Sequence, residues 1–120
     1  MKFQDFKLYR NKNYIDGEWV DSDSGDTISV NNPANLKEIG TVPKCGTSET
    51  KKAIESANNA WPEWKAKSAR QRSEILRRWF DLIIKNKEEL AQIMTTEQGK
   101  PINESRGEIV YGASFIEWFS

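Results

Sequence analysis

Cys45 is the one candidate nucleophile in this sequence. A reactive thiol needs its pKa lowered by a neighbouring base or a helix N-terminus. Cys45 stands just before a helix start near Thr47, which offers the second route. The chain has no histidine, so the usual base for the first route is missing. The same absence excludes triads and zinc sites of standard composition within these residues. With no motif around it, Cys45 reads as structural or incidental. The carboxylates of Glu63, Glu97, Glu104 and Glu108 are scattered and form no acid–base pair. Glycines at 17, 25, 40, 46, 99, 107 and 112 make neither G-x-G-x-x-G nor a P-loop, so no phosphate cradle is encoded here. Lys65, Lys67, Arg70, Arg72, Arg77 and Arg78 form a basic stretch beside Trp64 and Trp79. It has two readings, a nucleic-acid footprint or a solvated helix face whose long stems cover apolar surface. An i,i+4 pair of Glu74 with Arg78 favours the second.

The elements that would position these groups follow from turn and helix signals. Residues 1–13 are polar and read as an arm, with Phe3, Phe6 and Leu8 as docking points. Residues 14–46 read as a short β region. Asp16-Gly17 between apolar residues predicts a hairpin with a type I′ turn. Ser22 to Asp26 is a turn cluster, Thr27 to Val30 a strand, Asn31-Asn-Pro-Ala-Asn35 a loop, and Ile39 to Val42 a further strand. Residues 47–120 read as four helices. Thr47 or Ser48 caps the first, and Pro62 ends or bends it near Ala60. Ser68 and Gln71 form a capping box for the second, which buries Ile75, Leu76, Trp79, Phe80, Leu82 and Ile83. Asn86, Glu88 and Glu89 start the third, and Leu90, Ile93 and Met94 are its apolar stripe. Gly99 suits the left-handed residue that closes it, and Pro101 fits the first turn of the fourth. Glu97 and Lys100 bracket that corner. The fourth helix buries Ile102, Ile109, Val110, Ala113, Ile116 and Phe119 or their neighbours.

Composition sets the outer bounds. A chain of 120 residues with 37% hydrophobic and 30% charged content suits a soluble globular protein. Its formal net charge is zero, so no overall field draws in nucleic acid or an anionic membrane. No apolar run reaches the roughly 18–20 residues of a membrane span. One cysteine forms no internal disulfide, and the first residues lack the apolar core of a secretory signal. These features point to the cytoplasm. Five tryptophans in so short a chain need burial or a partner.

The order of motifs resembles the N-terminal segment of the aldehyde dehydrogenase superfamily. It runs Tyr14-Ile-Asp-Gly-Glu-Trp19, Asn32-Pro33-Ala34, Ile39-Gly-Thr-Val-Pro43, Ala57 to Trp64, Arg77-Arg-Trp-Phe80 and Thr96-Glu-Gln-Gly-Lys-Pro101. Glu97 to Pro101, followed by Gly107-Glu108 and Ala113 to Phe119, is most similar to succinate-semialdehyde dehydrogenases. The resemblance covers about residues 14–120. It implies an α/β parent fold with a Rossmann-like cofactor domain, to which this chain gives four helices preceded by a short β region. It implies oxidation of a small aldehyde to a carboxylic acid with NAD or NADP, in a homo-oligomer. It also implies a cysteine thiolate that attacks the aldehyde, a glutamate that activates water and an asparagine that holds the oxyanion. In the family these groups and the cofactor-phosphate loop all come later in the chain, so no catalytic or cofactor-binding residue is assigned here. Cys45, after Val42-Pro-Lys, sits at the wrong motif for the nucleophile. The resemblance further implies a monovalent-cation site through backbone oxygens of Val30 and Asn31 and through Glu97. It places Val110 or Tyr111 near the substrate tunnel.

The last helix lacks a stop signal, and Trp118 and Phe119 stand near its end. The expectation is therefore a front part of a longer enzyme, inert by itself and exposing faces meant for a sheet. The alternative is a self-contained helical interaction module that binds a partner through its tryptophan-rich surface.

Overall fold

The computed structural model describes residues 5–120. Eight elements follow in order: β1 (Asn13–Ile15), β2 (Glu18–Val20), β3 (Thr27–Asn31), β4 (Glu38–Pro43), α1 (Thr47–Ala66), α2 (Ala69–Lys85), α3 (Lys87–Gln98) and α4 (Ile102–Trp118). Among the described residues the arm does dock. Phe6 is buried, and the Leu8 N–H donates to the Glu89 carboxylate at 2.7 Å. Phe3 lies outside the described residues.

β1 and β2 form the expected hairpin, with Tyr14 opposite Trp19. Asp16 and Gly17 have φ of 54° and 82°, the paired positive values that a type I′ turn demands. β3 and β4 pair antiparallel in a second two-stranded sheet. Val30 faces Gly40 while Asn31 faces Glu38, so Ile39 is an extra residue that kinks β4. The intervening loop is closed by its own asparagines. Asn32 Oδ1 accepts from the Ala34 N–H at 2.9 Å, and Asn35 Oδ1 from the Lys37 N–H at 3.0 Å.

The helices start and stop largely where the sequence signals fall. Ser68 Oγ accepts from the Gln71 N–H at 3.3 Å, and Gln71 Oε1 accepts from the Ser68 N–H at 2.8 Å, a complete capping box. Gly99 closes α3 at φ 83°. Two readings need correction. The cap of α1 is Gly46, not Thr47 or Ser48. The Glu49 carboxylate reaches back to the Gly46 N–H at 3.0 Å, so the acceptor comes from inside the first turn. Pro62 does not end α1 near Ala60, since the helix continues to Ala66. Pro62 is exposed, so solvent can take the Asn58 carbonyl that its missing N–H leaves free.

The tight interior is small. α4 packs against both α2 and α3. Ala91, Ser105 and Ala113 are each 1% exposed or less, and small side chains there let the helices approach closely. Ser105 and Thr95 hydroxyls lie 2.8 Å apart and satisfy one another. The expected burial of Trp79, Leu82, Val110 and Phe119 fails, for all four are exposed. Their helices have only one layer to pack against. The radius of gyration is 16.7 Å, and the extents are 49 × 37 × 19 Å. A compact domain of this length would have a radius of gyration of about 14 Å. The exposed surface is 8846 Å² for 13.8 kDa, against about 6,600 Å² for a compact monomer of that mass.

Candidate functional site

Of the site residues named from sequence, Glu97 lies at the α3–α4 corner, and Val30 and Asn31 end β3. Gly99 donates its N–H to the Thr95 carbonyl at 2.9 Å, and α4 then starts from the Pro101 carbonyl, which accepts from Glu104 and Ser105. A Cβ on Gly99 would lie 2.6 Å from Cγ of Pro33. The loop that follows β3 is thus pressed directly onto the residue two positions after Glu97. Val30, half-buried, and Asn31, exposed, end the strand that feeds this loop, and Glu97 is exposed on the last turn of α3. The arm passes the same region. Burial raises the Tyr9 pKa above its ordinary 10.0, and the negative charge of Glu97 adds to the effect. Lys100 pairs with Glu108 on α4.

The Glu97 carboxylate and the main-chain oxygens of Val30 and Asn31 are of the donor type a hard cation takes. The same groups do not fit a transition metal. Among the described residues no group of three or more His, Cys, Asp or Glu could hold one.

The remaining candidates separate. Cys45 is exposed, and the Asn13 side-chain amide donates to its Sγ at 2.9 Å, which ties β1 to the segment before α1. The basic stretch is largely internally engaged. Lys67 pairs with Glu63, Arg70 with Glu74, and Arg77 with both Glu117 and Asp81. The expected Glu74–Arg78 pair is corrected by this, because Arg70 one turn earlier takes the carboxylate. Val110 and Tyr111 are exposed on α4, and Tyr111 meets Phe115 edge-on at 5.0 Å.

Two polar anchors escaped the sequence reading. Glu49 is buried and accepts from the Asp23 N–H at 2.9 Å as well as from Gly46, and these bonds lower its pKa. The Gly46–Glu49 spacing is that of a capping box, but with glycine in the cap place the usual signal is missing. Arg106 grips both oxygens of Glu88 at 2.8 and 2.7 Å. That guanidinium, helped by Gln92, holds the Glu88 carboxyl down at about 2. The two are 18 residues apart, so no local periodicity could have announced the pair.

Residues 19–120 match the model of the aldehyde dehydrogenase family. The whole chain is 58% identical to a glutarate-semialdehyde dehydrogenase of Pseudomonas putida, of which it covers 25%. It is 51% identical to the NADP(+) succinate-semialdehyde dehydrogenase of Escherichia coli K12, again over all of this chain and 25% of the relative. A solved structure of an NADP-dependent enzyme from E. coli superimposes with a TM-score of 0.91 at 51% identity, over 92% of this chain and 23% of that one. The chain therefore spans about a quarter of the length of the curated relatives it matches.

Proposed function

This chain belongs to the aldehyde dehydrogenase family, and from that premise we propose that it serves as the N-terminal part of an NAD(P)-dependent semialdehyde dehydrogenase. The substrate class is a short aldehyde carrying a carboxylate at its other end, with succinate semialdehyde oxidised to succinate. The observation that carries this is the match along the whole chain to two dehydrogenases named for such substrates. The bound nicotinamide would accept the hydride. The residues of this chain supply scaffold: a stapled β region, and a helical layer that meets the rest of a Rossmann-like α/β fold. The extended shape weighs against a self-contained interaction module.

The same reading assigns a monovalent cation to the carbonyl oxygens of Val30 and Asn31 and the carboxylate of Glu97. Its positive charge would hold the β3–β4 loop against the α3 corner. Support comes from the Gly99–Pro33 contact, which joins these two segments. Rubidium-soaked crystals of the full-length enzyme should give an anomalous peak beside Glu97, and none there refutes the assignment. The reading also includes a homo-oligomer in the cytoplasm. No helix among the described residues is long and apolar enough to cross a membrane.

The function is tested on the full-length enzyme with succinate semialdehyde, glutarate semialdehyde and an uncharged aldehyde of equal length, each with NAD and with NADP. At least one semialdehyde should win in kcat/KM by about tenfold or more, because a site built for the carboxylate rejects a substrate lacking it. Preference for the uncharged aldehyde contradicts the substrate class.

A further inference from the structure

Between Phe6 and Lys12 the arm meets α3, β4 and the β1–β2 hairpin in turn. The Tyr9 N–H donates to the Phe6 carbonyl at 3.3 Å, which closes a turn. The Arg10 guanidinium donates to the Lys7 and Tyr9 carbonyls at 2.9 and 2.7 Å and fixes that turn. From it the Leu8 N–H reaches the carboxylate of half-buried Glu89, in the first turn of α3, at 2.7 Å. Phe6, Tyr9 and Asn11 share a groove with Ile39, Gly40 and Thr41 of β4. This is the stretch that holds the extra residue of β4, and Gly40 stands opposite Val30. Further along, Arg10 lies over the Trp19 ring at 5.8 Å and Lys12 pairs with Asp21 at 2.8 Å.

We propose that the arm is a strap that sets the spacing between the end of β3 and the end of α3, with Glu89 as its fastening on the helix. The argument is one of slack. Leu8 is two steps from Phe6 and one from Tyr9, so at most about 7 Å of main chain separates the α3 tie from the β4 contacts. The turn shortens that reach further. α3 cannot draw away from β4 without breaking the Leu8–Glu89 bond or pulling buried Phe6 out of cover. A main-chain N–H on a carboxylate is charge-assisted and stronger than a neutral bond. Glu89 precedes Glu97 on the same helix by roughly two turns, so a shift at the fastening is passed along α3 to the corner. Tyr9 lies close enough to Glu97 to feel its charge. The strap thus joins the segment that carries Val30 and Asn31 to the one that carries Glu97, and the Gly99–Pro33 contact joins the same two segments at the helix end. Every contact used is made between residues of this chain. The inference goes beyond the cation assignment and does not rest on it.

Hydrogen–deuterium exchange of the full-length enzyme tests it, with Glu89→Ala, with removal of residues 2–9, and with both changes together. Either change alone should speed exchange of the amides of residues 95–100 and 38–42 by about tenfold or more. The combination should add nothing further, because both changes open the same strap. Glu63→Ala, which removes an exposed carboxylate of α1 that pairs with Lys67, should leave those amides unchanged. Unchanged exchange at residues 95–100 in Glu89→Ala, effects that add in the combination, or an equal speed-up throughout α2 overturns the proposal. The readout is exchange and not cation occupancy, so failure of the strap and failure of the cation assignment are told apart.

Discussion

The α3–α4 corner and the outer side of α4 lie within a few turns of one another and obey opposite rules. At the corner, small residues are buried, hydroxyls satisfy each other, and Gly99 meets Pro33 so closely that no side chain fits between. On the outer side, four aromatic residues stand in solvent with no layer above them. One region is finished by its own chain and the other is not. The lesson is that local completeness and global completeness are separate properties. A segment can specify its turns and caps while leaving its largest apolar surface for something else to cover.

Substitutions break or sharpen that contrast. The largest effect belongs to Gly99→Ala. The new Cβ would clash with the Pro33 ring, and φ of 83° is strained for alanine. Together these should cost about 2–4 kcal/mol in urea unfolding. A cost within experimental error would show that the corner is loose.

Next comes Ser105→Val, which adds bulk where exposure is 0% and orphans the Thr95 hydroxyl. It should cost about 1–3 kcal/mol by the same measurement.

The Glu88–Arg106 pair gives a smaller, pH-dependent effect, because both groups are partly exposed. The Glu88 pKa is depressed, from 4.5 to about 2, so its contribution is fully present above 4.5 and is lost as pH falls through about 2. Arg106→Gln should let that carboxyl protonate nearer its ordinary range and move the acid-unfolding midpoint upward. An unchanged acid titration followed by circular dichroism would separate the pair from stability. The smallest effect is expected at the open side. Trp118→Lys should change unfolding free energy by about 0.5 kcal/mol or less, since the side chain is 82% exposed. A large loss there would mean that the side is already covered.

What the sequence disclosed follows the range of the forces involved. The Asp16-Gly17 turn, the Ser68–Gln71 box and the Gly99 stop are each decided within four residues, and all three appear as read. The cap of α1 is hidden in the sequence because Gly46 has no side chain to advertise it, and the acceptor is Glu49. Trp79, Leu82, Val110 and Phe119 were expected inside because periodicity finds an apolar face without saying what lies against it. For the candidate cation corner, the approach of Pro33 to Gly99 is a contact across 66 residues. The motifs named its members through family resemblance, while spacing alone could not join them.

The central claim is that these residues carry scaffold and none of the reacting groups of an aldehyde dehydrogenase. Its most direct test is aldehyde-dependent formation of NADH or NADPH by the purified 120-residue chain, beside the full-length enzyme at equal molarity. The expected result is turnover by the full-length enzyme and none above the buffer rate from the 120 residues. Reduction that scales with the concentration of the 120-residue chain and vanishes on Cys45→Ala would contradict the claim and make Cys45 a nucleophile after all.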